Sequence, residues 1–336
     1  MKRFTVLALL AGVFLLSLVV AFSGAGEVVD AVASAGWATA AVVAARAVAI
    51  AATGLGWTVL IPPAAGFPYR IGILVRWIRE SANQMLPVAQ VGGDLIGARL
   101  ATFWRLDGAL AGASVIVDVA VQAGTQLLFA LLGLGILIWL GGDSVTVRFV
   151  AGALAVAGLA VAAFFLVQRR EGSRIIGAML RKVAGGREWL GVAAVERLYA
   201  RLGDVYANRR GVALSVAIHL AVWIFGSVEV WIALHFMGHP VSFAEAIVIE
   251  SLSQAVRGAA FAVPGGLGVQ EGGFVAICAL FGIPPGPAVA LSLVKRVADL
   301  AIGLPGILAW QFIEGRRALG RRRASASQTE LAEGAR

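Results

Sequence analysis

Apolar runs of about 20 residues recur along the chain, at 4–22, 38–61, 114–140, 147–167, 211–236 and 287–313. A helix of that length spans the ~30 Å hydrocarbon core, so the pattern predicts about six full transmembrane helices. Three stretches break it. Residues 71–86 form an amphipathic helix, residues 88–105 are apolar but interrupted by Asp94 and Arg99, and residues 244–283 form two helical arms around a proline and glycine cluster.

That cluster holds Pro264, Gly265, Gly266 and Gly268, followed by Gln270 and Glu271. Backbone freed from a helix at membrane depth is tolerated only where protein buries it or water reaches it, which predicts a broken or re-entrant helix pair beside a polar cavity. The second arm begins with free amides that attract an anion, and Glu271 is placed to be that anion as an internal cap. Pro87, Gly92 and Gly93 mark a similar break earlier in the chain. Pro87 stands seven residues before Asp94 and 31 before Asp118, and Pro264 stands seven before Glu271 and 31 before Lys295. The shared spacing predicts an internal repeat.

Polar residues also fall in stripes. Glu250, Ser253, Gln254 and Arg257 lie at i, i+3, i+4 and i+7, on one helical face that cannot meet lipid tails. Asp118, Gln122 and Thr125 repeat the spacing, as do Ser292, Lys295, Arg296 and Asp299, so one shared polar interior is expected. On 71–86 the stripe is Arg76, Arg79, Glu80, Asn83 and Gln84, which suits an interfacial helix or the wall of a cytoplasmic vestibule. A charge at the bilayer centre costs about 2.5 to 3.5 kcal/mol, so these groups must pair, reach water or lie near an interface. Lys295 or Arg296 can pair with Asp299 within one helix. Arg46, nine residues into its span, is expected to snorkel outward. Glu229 and His219 suit either proton carriage or hydrogen-bonded packing.

Composition agrees with a membrane protein and narrows its chemistry. Of 336 residues, 60% are hydrophobic and 14% charged, with a mean hydropathy of +0.87. The single cysteine, Cys278, excludes an intramolecular disulfide, and three scattered histidines give no metal-ligand spacing. No phosphate-binding loop is present, so no nucleotide cofactor and no metal is expected. The net charge of +9 comes from arginines grouped at 169–210 and at Arg316, Arg317 and Arg321–Arg323, where membrane topology rather than nucleic acid explains them. Both groups belong on the cytoplasmic side, as do Lys2 and Arg3. Both termini are then cytoplasmic, residues 4–22 are an uncleaved first span, and the two repeat copies are inverted. The expected organisation is an all-α polytopic membrane domain over 1–317, including the basic loop 169–210, with a basic, disordered tail over 318–336.

Longer motifs carry a family resemblance. Val75-Arg-Trp-Ile-Arg79-Glu80-Ser-Ala-Asn-Gln-Met-Leu-Pro87, Gln90-Val-Gly92-Gly93 and Gly97-Ala-Arg99 supply the first part. Ile249-Glu250-Ser-Leu-Ser-Gln254-Ala-Val-Arg257, Val263 to Gly273 and Leu291 to Asp299 supply the second. Over about residues 4–317 the chain resembles the membrane proteins associated with hopanoid biosynthesis, a branch of the flippase-like, lysylphosphatidylglycerol synthase transmembrane-region family. The resemblance implies an inner-membrane protein that handles lipids, with hopanoid or phospholipid as substrate and hopanoid-pathway proteins as partners. Related lysyltransferases add a soluble catalytic domain after the membrane part, and none is expected here. Gln122 departs from the pattern of many relatives, which carry an acid there, and so weakens a proton site of paired carboxylates.

The function expected is therefore a lipid transporter or flippase. Arg79, Arg99, Arg257 and Arg296 contact headgroups, and Glu250, Glu271 and Asp299 hold those arginines or exchange protons. Glu80, Asp118, Gln122, Gln254 and Gln270 complete the expected cavity, and Pro87, Gly92, Gly93, Pro264, Gly265, Gly266 and Gly268 shape the breaks. An embedded lipid-modifying enzyme with Glu250 or Glu271 as base is one rival, although no activated nucleophile accompanies either acid. A scaffold for pathway enzymes, docking them through the basic loop, is the other.

Overall fold

Helices account for nearly all of the residues that the computed structural model describes, which are 30, 33, 35–86, 92–168, 190–259 and 268–334. The expected span at 4–22, Pro87, Pro264, Gly265 and Gly266 lie outside those residues. In chain order the helices are α1 (Ala38–Thr58), α2 (Tyr69–Met85), α3 (Gly92–Ala101), α4 (Gly108–Trp139) and α5 (Ser144–Val167). They continue with α6 (Leu190–Ala207), α7 (Arg209–Phe236), α8 (Phe243–Ala259), α9 (Val269–Cys278) and α10 (Pro285–Gly334). Among the described residues there is no strand, and α1, α4, α5 and α7 are each long and apolar enough to cross a membrane. The chain is an all-helical polytopic membrane protein.

Local chemistry sets the helix ends. Asp107 accepts from the Leu110 amide at 3.0 Å to start α4. Asp143 accepts from the amides of Val145 and Thr146, both at 2.9 Å, to start α5. Those hydrogen bonds, Thr146 foremost, hold the Asp143 carboxyl below the usual carboxylate range. At the C-terminal ends of α4 and α7, Gly141 (φ 81°) and Gly238 (φ 78°) take left-handed conformations that turn the chain away from the helix axis. Residues 318–334 continue α10 as helix, where a disordered tail was the expectation; their Ala, Arg, Glu and Gln content favours helix.

The repeat expected from Pro87 and Pro264 recurs in the backbone at an offset of 177 residues. Helix α3 at Gly92–Ala101 matches α9 at Val269–Cys278, and the short 3₁₀ turn Thr102–Trp104 matches Ala279–Phe281. Left-handed Arg105 (φ 65°) matches left-handed Gly282 (φ 69°), and α4 begins at Gly108 where α10 begins at Pro285. Packing follows the same rule. Helix α2 packs on α1, α3 and α10, while α8 packs on α7, α9 and α4. The first helices of the two copies, α1 and α7, pack on each other at the centre. Helix α5 stands outside this arrangement, packed on α4, with Leu154 alone buried along its length.

Candidate functional site

A cavity of about 350 Å³ lies among α1, α2, α3, α4, α7 and α8. Its charged lining includes Arg46, Arg76, Arg79 and Arg257 on the positive side and Glu80, Asp94, Glu229 and Glu250 on the negative side. Groups of this kind inside apolar helices are costly unless paired, and two networks pair them.

The first network centres on Asp118, fully buried on α4. Its Oδ2 accepts from Arg76 Nη1 at 3.0 Å, Arg79 Nη2 at 2.8 Å and Gln122 Nε2 at 2.9 Å. Arg79 also donates to Asp94 at 3.0 and 2.7 Å, while Arg76 reaches Glu80 at 3.2 Å and the Gln122 amide oxygen at 2.7 Å. Arg79 needs room. Gly97 supplies it, because a Cβ there would overlap the Arg79 side chain, and Trp57 covers the guanidinium at 5.2 Å. His219 on α7 faces the other oxygen of Asp118 at 3.4 Å.

The second network centres on Lys295, buried on α10. Its ammonium donates to Glu229 at 2.9 Å and to both oxygens of Glu250 at 3.0 and 2.9 Å. Arg46 forms a two-pronged pair with Glu229 at 2.8 and 2.6 Å and also binds Asp299. Arg257 stands 3.9 Å from Asp299, and Gln254 donates to Glu250 at 2.8 Å. Four helices thus meet through one lysine and one arginine.

These contacts correct several expectations. Arg46 does not snorkel: it lies mid-span and turns inward to Glu229 and Asp299. Lys295 and Arg296 do not pair with Asp299 along their own helix, because carboxylates on neighbouring helices offer closer partners. Arg99 does not face the cavity; five residues after Asp94, it points about 140° away around α3, where it is exposed and 3.4 Å from Glu314. The polar interior is not single either. Gln270, Glu271 and Arg296 form a separate group: Arg296 donates to Glu271 at 2.6 Å, Ser292 donates to Glu271 at 3.0 Å, and Gln270 donates to Ser292 at 2.9 Å. Glu271 also accepts from the Gly268 amide at 2.7 Å, the internal cap anticipated from the sequence. Asp118 and Asp299 stand behind the cavity and act on it through Arg76, Arg79, Arg46 and Arg257.

Glu80, Gln122, Gln254, Glu250, Arg79 and Arg257 do line the cavity. Gly92 and Gly93 open α3 beside it, where the Gly93 amide donates to Asn83 at 2.7 Å. The charged and histidine residues missed as lining were Arg46, Arg76, Asp94, His219 and Glu229. Charge balance was the available signal, since without Arg46 the interior carboxylates outnumber their partners by two.

The family model for the lysylphosphatidylglycerol synthase TM region matches residues 5–306. The chain belongs to this family. It is also similar to a UPF0104 membrane protein of Methanothermobacter thermautotrophicus, at 26% identity over 321 residues that cover 88% of this chain and 89% of the relative. No solved structure matches it. As a member of the lysylphosphatidylglycerol synthase transmembrane-region family, the chain is a membrane protein, and the matched range takes in both copies of the repeat up to the proline in α10, Pro305.

Proposed function

We propose that this protein moves lipid between the leaflets of the cytoplasmic membrane, passing the polar headgroup through the central cavity while the tails remain in the bilayer. The observation that carries this reading is the cavity itself, with Arg46, Arg76, Arg79 and Arg257 reaching one space inside apolar helices. At about 350 Å³ it lies near the lower end of small-molecule pockets, which suits a headgroup and not a whole lipid. The guanidinium groups favour phosphate or carboxylate, and each is held by a carboxylate that an incoming anion can displace. The resemblance to the hopanoid-associated branch makes hopanoid a second lipid to test beside phosphatidylglycerol. In this reading the arginines at 169–210 and 316–323 face the cytoplasm, with both termini.

The test is leaflet exchange of fluorescently labelled phosphatidylglycerol in liposomes containing the purified full chain, read by quenching of the outer leaflet. Wild type exchanges the label, Arg257→Ala slows it at least about tenfold, matching the ~1.5 to 3 kcal/mol of a charged hydrogen bond, and Arg99→Ala leaves it unchanged. Equal exchange in wild type, Arg257→Ala and protein-free liposomes sinks the proposal. A chemically altered lipid recovered from the same liposomes points to an enzyme instead. Loss of partner binding on charge reversal in 169–210, with no exchange in any variant, points to a scaffold.

A further inference from the structure

The two charge networks are unequal. Arg46, Arg257 and Lys295 meet Glu229, Glu250 and Asp299, three cations with three carboxylates. Around Asp118 two cations, Arg76 and Arg79, meet three carboxylates, Glu80, Asp94 and Asp118. One negative charge is left over, and it lies beside a histidine.

The histidine's hydrogen bonds fix what it can offer. His219 Nδ1 lies 2.9 Å from the Ser215 carbonyl oxygen, which can only accept, and 3.4 Å from the Ser215 hydroxyl, and the shorter contact assigns the hydrogen to Nδ1. Nε2 of the neutral ring is then a bare lone pair. It faces Asp118 Oδ1 at 3.4 Å, and both atoms are buried with no other hydrogen-bond partner. Two acceptors in that position repel unless a proton lies between them.

We propose that Asp118 and His219 form a binding site for one exchangeable proton, shared between Asp118 Oδ1 and His219 Nε2. Bound to nitrogen, the proton makes an imidazolium that donates to the carboxylate; bound to oxygen, it makes a carboxylic acid that donates to the neutral ring. Either form cancels the surplus charge. The other groups facing the pair are Arg76 and Arg79 from α2, while α1 presents Gly56, without a side chain, to the ring. Charges from α8 and α10 meet α7 at Glu229, ten residues and about 15 Å further along. His219 lines the cavity, which gives the proton a route to the site.

The site has a consequence that rests on the transport reading. Asp118 holds Arg76 and Arg79, and a proton on the pair loosens that hold, freeing both guanidinium groups for an anionic headgroup. Proton and headgroup then bind together, and the proton gradient drives the lipid.

The site itself is read by nitrogen NMR on the full chain in nanodiscs with ¹⁵N-labelled histidine, using His219→Gln to identify the signal among the three histidines of the sequence. The expected result is a one-proton titration at Nε2 within about pH 5 to 8, with Nδ1 protonated throughout, lost from that range in Asp118→Asn. A wild-type Nε2 that keeps one state across the range overturns the proton site, whatever the variant does. Coupling is read from exchange of labelled phosphatidylglycerol with and without an imposed pH gradient. A rate at least doubled by the gradient supports it, and an NMR titration with a rate indifferent to the gradient overturns the coupling. Absence of any exchange overturns the transport reading alone and leaves the proton site measured.

Discussion

The two copies of the repeat share a backbone and differ in charge. At the offset of 177 residues, Asp118 of the first copy stands where Lys295 stands in the second, and Glu80 stands where Arg257 stands. Each copy therefore presents the opposite sign at the matching place. The acids at the start of α3 and α9 are also treated differently. Asp94 is met by Arg79 from the preceding helix and lines the cavity, whereas Glu271 is met by Arg296 from the following helix and closes the amide end of its own arm. A common scaffold has been kept while its polar cargo was divided. The first copy gathers guanidinium groups around a carboxylate, and the second gathers carboxylates around an ammonium.

The strongest way to break this division is to remove the ammonium. Lys295→Ala leaves Glu229 and Glu250 buried without their shared partner and is expected to cost about 3 to 5 kcal/mol, seen as a lower thermal unfolding temperature in detergent. A loss below ~1 kcal/mol shows that the second copy is not organised around Lys295. A smaller change tests the first copy. Gly97→Ala puts a methyl group into the space of Arg79, with an expected cost of about 1 to 3 kcal/mol and a slower leaflet exchange as the arginine shifts. The matching position in the second copy, Phe274, is large and buried, so Phe274→Leu is expected to lower stability with little effect on exchange. The smallest effect has the opposite sign. Arg105 is exposed and left-handed where its counterpart is Gly282, so Arg105→Gly is expected to raise stability by up to about 1 kcal/mol, while Gly282→Arg lowers it.

Much of the fold was legible because membranes simplify the code. Apolar length gave the spans α1, α4, α5 and α7, and the ungapped spacing from the two prolines to Asp118 and Lys295 gave the repeat. The face formed by Glu250, Gln254 and Arg257 was legible from helical periodicity alone. Partners were harder. Periodicity describes one helix at a time, so Asp299 was matched with neighbours on its own helix, and Arg46 with water, when the true partners lie on helices far away in sequence. Arg99 was misplaced for a related reason: its apolar neighbourhood suggested burial, while its rotation from Asp94 around α3 sends it outward.

Helix α5 packs on α4, and its flanks carry Phe149, Val156 and Leu159 in the open. An otherwise undistinguished greasy rod, it leaves nearly every side chain to its surroundings, as a segment bathed by acyl chains must.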